Sequence, residues 1–202
     1  MTDLRTNPRA TARGVRNNNP FNLQKSKSAW VGKVTGTDPR FETFNNVVNG
    51  IRAGIIDIVG DIARDKKFTL SLLFQEFAPK HENDTANYIN VVSREINVSA
   101  QTPLLNSQGQ INASLLFRLA KAIIRVENGP TQAALVSDAD IWAGILAART
   151  NSIGSKYILV DNKPVFPTLG QGKNDRLNDM GIVVILALFL FIYLFSKLLN
   201  LL

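Results

Sequence analysis

Residues 112–130 read NASLLFRLAKAIIRVENGP, and the fold class turns on them. Leu115, Leu116, Leu119, Ala122, Ile123 and Val126 recur at the spacing of one helical face, while Arg118, Lys121 and Arg125 occupy the other. Asn112 is a suitable N-terminal cap, and Asn128-Gly129-Pro130 stops the pattern abruptly. The spacing predicts a helix over Ala113 to Val126, with Glu127 at its end.

Further amphipathic segments lie on either side. Asn46 to Ile62 carries Val47, Val48, Ile51, Ile55, Ile58, Val59 and Ile62 at helical spacing. Within it Gly50 and Gly54 sit four residues apart, which lets another backbone approach closely. Leu70 to Phe77 is a short helix stopped by Pro79. Asp84 or Thr85 caps the next, with the stripe Tyr88, Ile89, Val92 and Ile96, and Asn97 suits the left-handed position at its end. Asp138 to Ala148 forms another helix, containing Trp142. The domain expected over residues 13–148 is therefore mainly α. Before it, residues 1–12 read as a flexible basic arm. Gly14 to Leu23, GVRNNNPFNL, reads as turns. Trp30-Val31-Gly32 and Phe41 to Phe44 flank a loop containing Asp38-Pro39. Residues 149–180 read as a connector, with Tyr157 to Phe166 able to form a small hairpin.

Composition narrows the function. The chain has 202 residues, 45% of them apolar, enough for a packed core. Much of that apolarity lies in Gly181 to Leu202, where only Tyr193, Ser196, Lys197 and Asn200 are polar. A helix needs roughly 20 apolar residues to cross a bilayer, so 181–202 is expected to be one C-terminal transmembrane anchor. The first residues carry Arg5, Arg9, Arg13 and Arg16 without an apolar run, which speaks against a cleavable secretory signal. With no cysteine and His81 as the sole histidine, thiolate and multi-histidine metal sites are excluded. No metal or organic cofactor is expected. The net charge of +7 suits polyanionic partners, from nucleic acid to phospholipid and envelope polymers.

Glu127 is the most informative acid. It lies about 40° around the helix axis from Ile123, leaning toward the apolar face. Desolvation and the negative end of the helix dipole both favour its protonated form, as a general acid requires. On geometry alone the ordinary role, a glutamate solvated or paired with Arg125, is the stronger one. Asn17, Asn18, Asn19 and Asn22 carry amides that can bind sugar hydroxyls and acetamido groups, or can satisfy their own turn. Trp30 is able to stack on a sugar ring or to pack in the core. His81 reads as a surface loop residue.

Five strings, RGVRNNNPFNL, WVG, RFETFNNVVNGIRA, FAPKHENDTANYINVV and LAKAIIRVENG, stand in this order over roughly residues 13 to 148. Together they resemble a family of small phage virion-associated and lysis proteins described as lysozyme-like and peptidoglycan-degrading. With its order rotated, the chain is also similar to the wall glucosaminidases and lytic transglycosylases. In those enzymes a helix ending in a catalytic glutamate comes first, followed by an Asn-Leu-Phe-like turn, a Trp-x-Gly and a Tyr-Ala-x-Asp-x-x-Tyr segment. The resemblance implies a circularly permuted lysozyme-like helical domain with Glu127 as general acid. It further implies Tyr88 as a stabiliser of the oxocarbenium-like state, although as a stripe residue Tyr88 is equally suited to the core. Members of the family often have glycine where Phe21 stands, which puts the shape of that turn in question.

A hydrolase would need a second carboxylate, about 5 to 5.5 Å or about 6.5 to 9.5 Å from the acid. Glu82 and Asp84 are the candidates for that substrate-contacting role, with solvation and helix capping as their ordinary alternatives. A lytic transglycosylase needs none, and that outcome is weakly favoured. The expected protein is thus a membrane-anchored, peptidoglycan-cleaving phage virion protein. Its anchor would sit in the membrane of a membrane-containing virion or of the host cell, and its cut would open the wall during genome delivery or lysis. Capsid or other virion membrane proteins are further expected partners. The rivals are an inactive structural virion membrane protein with the same fold, and a nucleic-acid-organising protein acting through its basic arm.

Overall fold

A computed structural model describes residues 2–77 and 85–160. Its centre is α2, Val47–Val59, capped by Asn46, whose side-chain oxygen accepts from the Asn49 backbone N–H at 3.0 Å. Almost every residue of α2 is buried, including Ile51, Ile55, Ile58 and Val59. A helix surrounded on all sides needs small residues where neighbours come closest, and α2 has them at the expected places. A side chain at Gly50 would collide with the Asn18 carbonyl, and one at Gly54 with the ring of Phe21. Phe21, 2% exposed, thus fills the notch left by Gly54. On another face Gly144 of α7, Asp138–Ala148, rests on Ile51.

The other helices enclose this axis. A four-residue helix α1, Arg13–Arg16, precedes the asparagine turn. The strands β1, Lys33–Val34, and β2, Thr43–Phe44, pair antiparallel with Lys33 opposite Phe44. Helix α3, Leu70–Phe77, contributes Leu70, Leu73 and Phe74 to the core. Helix α4, Thr85–Ile96, buries Tyr88, Val92 and Ile96, and Asn97 behind it has φ 53, the left-handed position expected of it. Strand β3, Ile111–Asn112, leads into α5, Ala113–Asn128, where the Asn112 side chain caps Ser114 N at 2.7 Å. Gly129, at φ 75, breaks the helix before α6, Pro130–Ala133. Ser137 caps α7 through the backbone N–H of Asp140 at 3.1 Å.

The fold departs from the sequence expectation in several places. Residues 1–12 are not a free arm within the described segment. Leu4 is 2% exposed, inside a short 3-10 turn Leu4–Thr6, and its backbone N–H donates to Asn18 Oδ1 at 2.8 Å. Thr2 accepts from Val47 N at 2.9 Å, and Gln132 Oε1 accepts from Thr11 N and Ala12 N. Local composition is polar here, but partners distant in sequence satisfy the backbone and draw Leu4 inward. The long helix over 46–62 ends its α-helical course at Val59 and continues as one π-helical turn, Gly60–Arg64. The start of the connector, 149–160, belongs to the domain. It holds α8, Ser152–Tyr157, and β4, Ile158–Leu159, which pairs in parallel with β3. Ile158 is therefore committed to β3, and residues 161–166 of the expected hairpin lie outside the described residues. So do the rest of the connector and the anchor expected at 181–202. Among the described residues no helix is long and apolar enough to cross a membrane.

Candidate functional site

The last turn of α5 presents Glu127 to two hydrogen-bond donors from separate parts of the chain. Asn22 Nδ2 donates to Glu127 Oε2 at 2.9 Å, and Tyr88 Oη donates to Glu127 Oε1 at 3.1 Å. Asn22 holds φ 52, a left-handed conformation that asparagine tolerates better than most residues, and it aims the amide at the helix end. Gly14 makes this approach possible, because a side chain there would meet Asn128 of α5 and the Asn19 carbonyl. Asn128 completes the joint by donating to the Pro20 carbonyl at 2.8 Å.

Tyr88 comes from α4, and its ring packs against Phe74 of α3 with centroids 4.7 Å apart. Burial pushes its phenol well above the usual range, and the charge and hydrogen bond of Glu127 add to that shift. The group therefore stays an O–H donor at any ordinary pH. The pairing of Glu127 with Arg125 does not form, since Arg125 Nη1 lies 3.2 Å from Glu95 Oε1. Glu127 is half-buried and its carboxyl belongs to the Asn22–Tyr88 pair.

Glu127 opens on a cleft of ≈ 630 Å³ that Asn22, Trp30, Phe41, Asp57 and Asp61 also line. That volume falls in the range of small-molecule sites and accommodates sugar-sized groups. Arg13 stacks its guanidinium over the Phe41 ring at 3.6 Å, and Arg40 lies 5.4 Å from the same centroid. The lining thus combines a cationic and aromatic group with three acids, Asp57, Asp61 and Glu127. Trp30 is half-buried against the core at the cleft's edge, so part of its indole is available to a ligand.

Two of the asparagines have a different job from the one expected. Asn18 and Asn19 are 0% exposed. The Asn18 amide donates to the Phe44 carbonyl at 3.1 Å and to Asp3 at 2.8 Å, while its oxygen takes the Leu4 N–H. Asn19 exchanges hydrogen bonds with both backbone groups of Leu23 and donates to the Glu42 carbonyl at 3.0 Å. Apart from the bond from Asn18 to the Asp3 carboxylate, these amides are used on buried backbone, where an unpaired group costs about 1–3 kcal/mol, and neither residue lines the cleft. Asn17 is likewise buried and donates to Asp38 at 3.2 Å. These residues build the turn that holds Asn22. Glu82 and Asp84, like His81, lie outside the described residues.

The acids that the structure does bring to the cleft are Asp57 and Asp61, on α2 and its π-helical turn. Burial raises Asp57 to about 6, with the charge of Asp61 adding and those of Arg64 and Lys67 opposing. Burial also raises Asp61, against the pull of Lys67, whose Nζ lies 3.9 Å from its Oδ1. The signal for both was present in GIIDIVGDI, residues 54–62: two carboxylates four apart on one face of an otherwise apolar helix.

No family model matches the sequence. Among curated proteins, one similar to this chain is Protein P5 of Pseudoalteromonas phage PM2. It is 33% identical over 122 residues, which span 58% of this chain and 72% of that protein.

Proposed function

We propose, from the premise that this chain belongs to the family of Protein P5 of Pseudoalteromonas phage PM2, that it is a virion protein that cleaves the glycan strands of peptidoglycan. The observation that carries the reading is Glu127 at a helix end, held by Asn22 and Tyr88 on the edge of a sugar-sized cleft. Three features support it. The cleft has one carboxyl fixed in orientation, a partly accessible Trp30 able to stack on a pyranose, and polar groups matched to hydroxyls and acetamides. The lysozyme-like resemblance, with its rotated order, assigns the acid to that same glutamate. The apolar run at 181–202 is the right length for a bilayer anchor, which would concentrate the domain at the membrane through which the genome passes.

In this reading Glu127 donates its proton to the glycosidic oxygen as the bond to C1 breaks. A protonated carboxyl offers one O–H and keeps acceptor capacity for the Asn22 amide and the Tyr88 hydroxyl. Tyr88, buried and not part of the cleft lining, holds the carboxyl in line rather than meeting the sugar itself. Water or the sugar's own C6 hydroxyl then captures C1, and whichever group lies opposite Glu127 selects between them. No part of this requires a metal or an organic cofactor.

The basic segment at the N-terminus supports a nucleic-acid role less well. Arg5 is paired with Asp3 at 2.7 Å, and the segment is bound to the domain by Asn18 and Gln132. Digestion of purified sacculi with the full-length chain in mild detergent, followed by mass analysis of the glycan ends, tests the proposal. New glycan ends are expected from the wild type, with at least about 100-fold fewer from Glu127→Gln. Intact glycan with both proteins would leave a structural virion membrane protein as the answer.

A further inference from the structure

The acidic wall of the cleft has no structural task that accounts for it. Asp57 lies on α2 among Ile55, Ile56, Ile58 and Val59, all buried. Among the described residues it accepts no hydrogen bond and forms no ion pair, whereas its neighbour Asp61 has Lys67 at 3.9 Å. A half-buried carboxyl without a partner is costly to a fold, and an apolar residue or an amide would serve α2 better. Its one distinguishing relation is spatial: it lines the cleft that Glu127 lines, and it comes from a different helix.

We propose that Asp57 is the second catalytic carboxyl of this cleft, the base that takes a proton from an attacking water while Glu127 protonates the leaving oxygen, so that the cut is hydrolytic. The inference rests on the glycan-cleaving reading of Glu127 and goes further by naming the partner and the reaction type. In the step, the C1–O bond breaks with its electron pair going to the leaving sugar's oxygen, which receives the Glu127 proton. A lone pair of the water oxygen forms the new bond to C1, and Asp57 accepts the proton released. One water is consumed, and exchange with solvent restores Glu127 as acid and Asp57 as base.

Asp61 has a positioning role. Four residues on, where the helix widens into its π turn, its charge lies close enough to oppose ionisation of Asp57. The outcome is a carboxyl near 6, suited to a base that works close to neutrality. The charges acting on Asp57 are Asp61, Arg64, Asp65 and Lys67, from its own helix end and the loop after it; the other charged groups lining the cleft are Arg13, Arg40 and Glu127.

Full-length wild-type, Asp57→Asn, Asp61→Asn and Glu127→Gln proteins digesting sacculi in oxygen-18 water test this. Wild type should place the label at new reducing ends, with an acid limb in its pH profile near pH 6. Asp57→Asn should lose labelled ends by about 10-fold or more, in keeping with general base catalysis, and should flatten the limb. Asp61→Asn keeps the base but removes the opposing charge, so the limb should move about half a pH unit or more toward acid. Wild-type products with unlabelled 1,6-anhydro ends would overturn the role of Asp57 while leaving Glu127 as acid. So would an Asp57→Asn protein that labels as well as wild type, or a limb unmoved in Asp61→Asn. No cleavage by any of the four proteins would instead overturn the glycan-cleaving reading itself, and this proposal with it.

Discussion

At the end of α5, the carboxyl of Glu127 is gripped by an amide and a phenol, each donating to a different oxygen. At the end of α2, the carboxyl of Asp57 has neither, and is governed by burial and by the charge of Asp61. The two acids face one cleft, yet one is fixed by directional bonds and the other by the medium around it. Hydrogen bonds fix where a carboxyl points, and desolvation and like charge raise the pH at which it gives up its proton. A site that needs both position and poise can divide them between two helices. The price is stability at α2, and the Asn-rich turn that locks α5 to α2 offsets it.

Breaking that lock should have the largest effect. Gly50→Ala puts a methyl into the Asn18 carbonyl, which cannot retreat because the Asn18 side chain is bonded on three sides. A loss of about 3 kcal/mol or more in denaturant unfolding is expected, as for other overpacked core positions. Asn18→Ala should follow at about 2–3 kcal/mol, since it orphans the buried Leu4 N–H and Phe44 carbonyl. Detachment of the N-terminal segment would then show as faster amide exchange at Leu4.

Asp57→Asn should act in the opposite direction. The folded-state value near 6 lies above the ordinary aspartate value of 3.8, so the folded protein holds this proton more tightly than the unfolded chain. Stability linked to Asp57 is therefore fully present below about pH 4, declines between about 4 and 6, and stays lower above that. The amide does not titrate, so the variant should gain about 1–2 kcal/mol over wild type at pH 7, after discounting for partial exposure. The gain should vanish by pH 4. A variant that is less stable at pH 7 would mean that the carboxylate of Asp57 is satisfied in the fold. Tyr88→Phe should be smallest, about 1 kcal/mol or less in stability, because its ring stays against Phe74 and only the bond to Glu127 is lost.

Much of this arrangement is legible in the sequence, for identifiable reasons. Asn112 and Asn97 mark helix ends because capping and left-handed geometry depend on the residue itself. Gly50 and Gly54 signal close approach because only an absent side chain permits it, although one of the two visitors is a ring, Phe21, rather than backbone. Glu127 leans toward the apolar face by helical arithmetic alone. The rest depends on partners remote in sequence. Nothing local distinguishes Asn22, which reaches the acid, from Asn18 and Asn19, which are spent on Leu4, Leu23 and the strand region. The docking of residues 2–12 depends on Gln132 and Asn18, and β4 depends on β3. Asp57 and Asp61 were visible as charges in an apolar helix, but only the packing shows that their face borders the cleft rather than bulk solvent.

The measurement that bears most directly on the whole account is release of soluble fragments from dye-labelled sacculi by full-length wild type and Glu127→Gln, side by side. The account predicts steady release by the wild type and near silence from the variant, with unchanged melting curves. Equal release by both proteins would contradict it, as would a complete lack of release by a folded wild type.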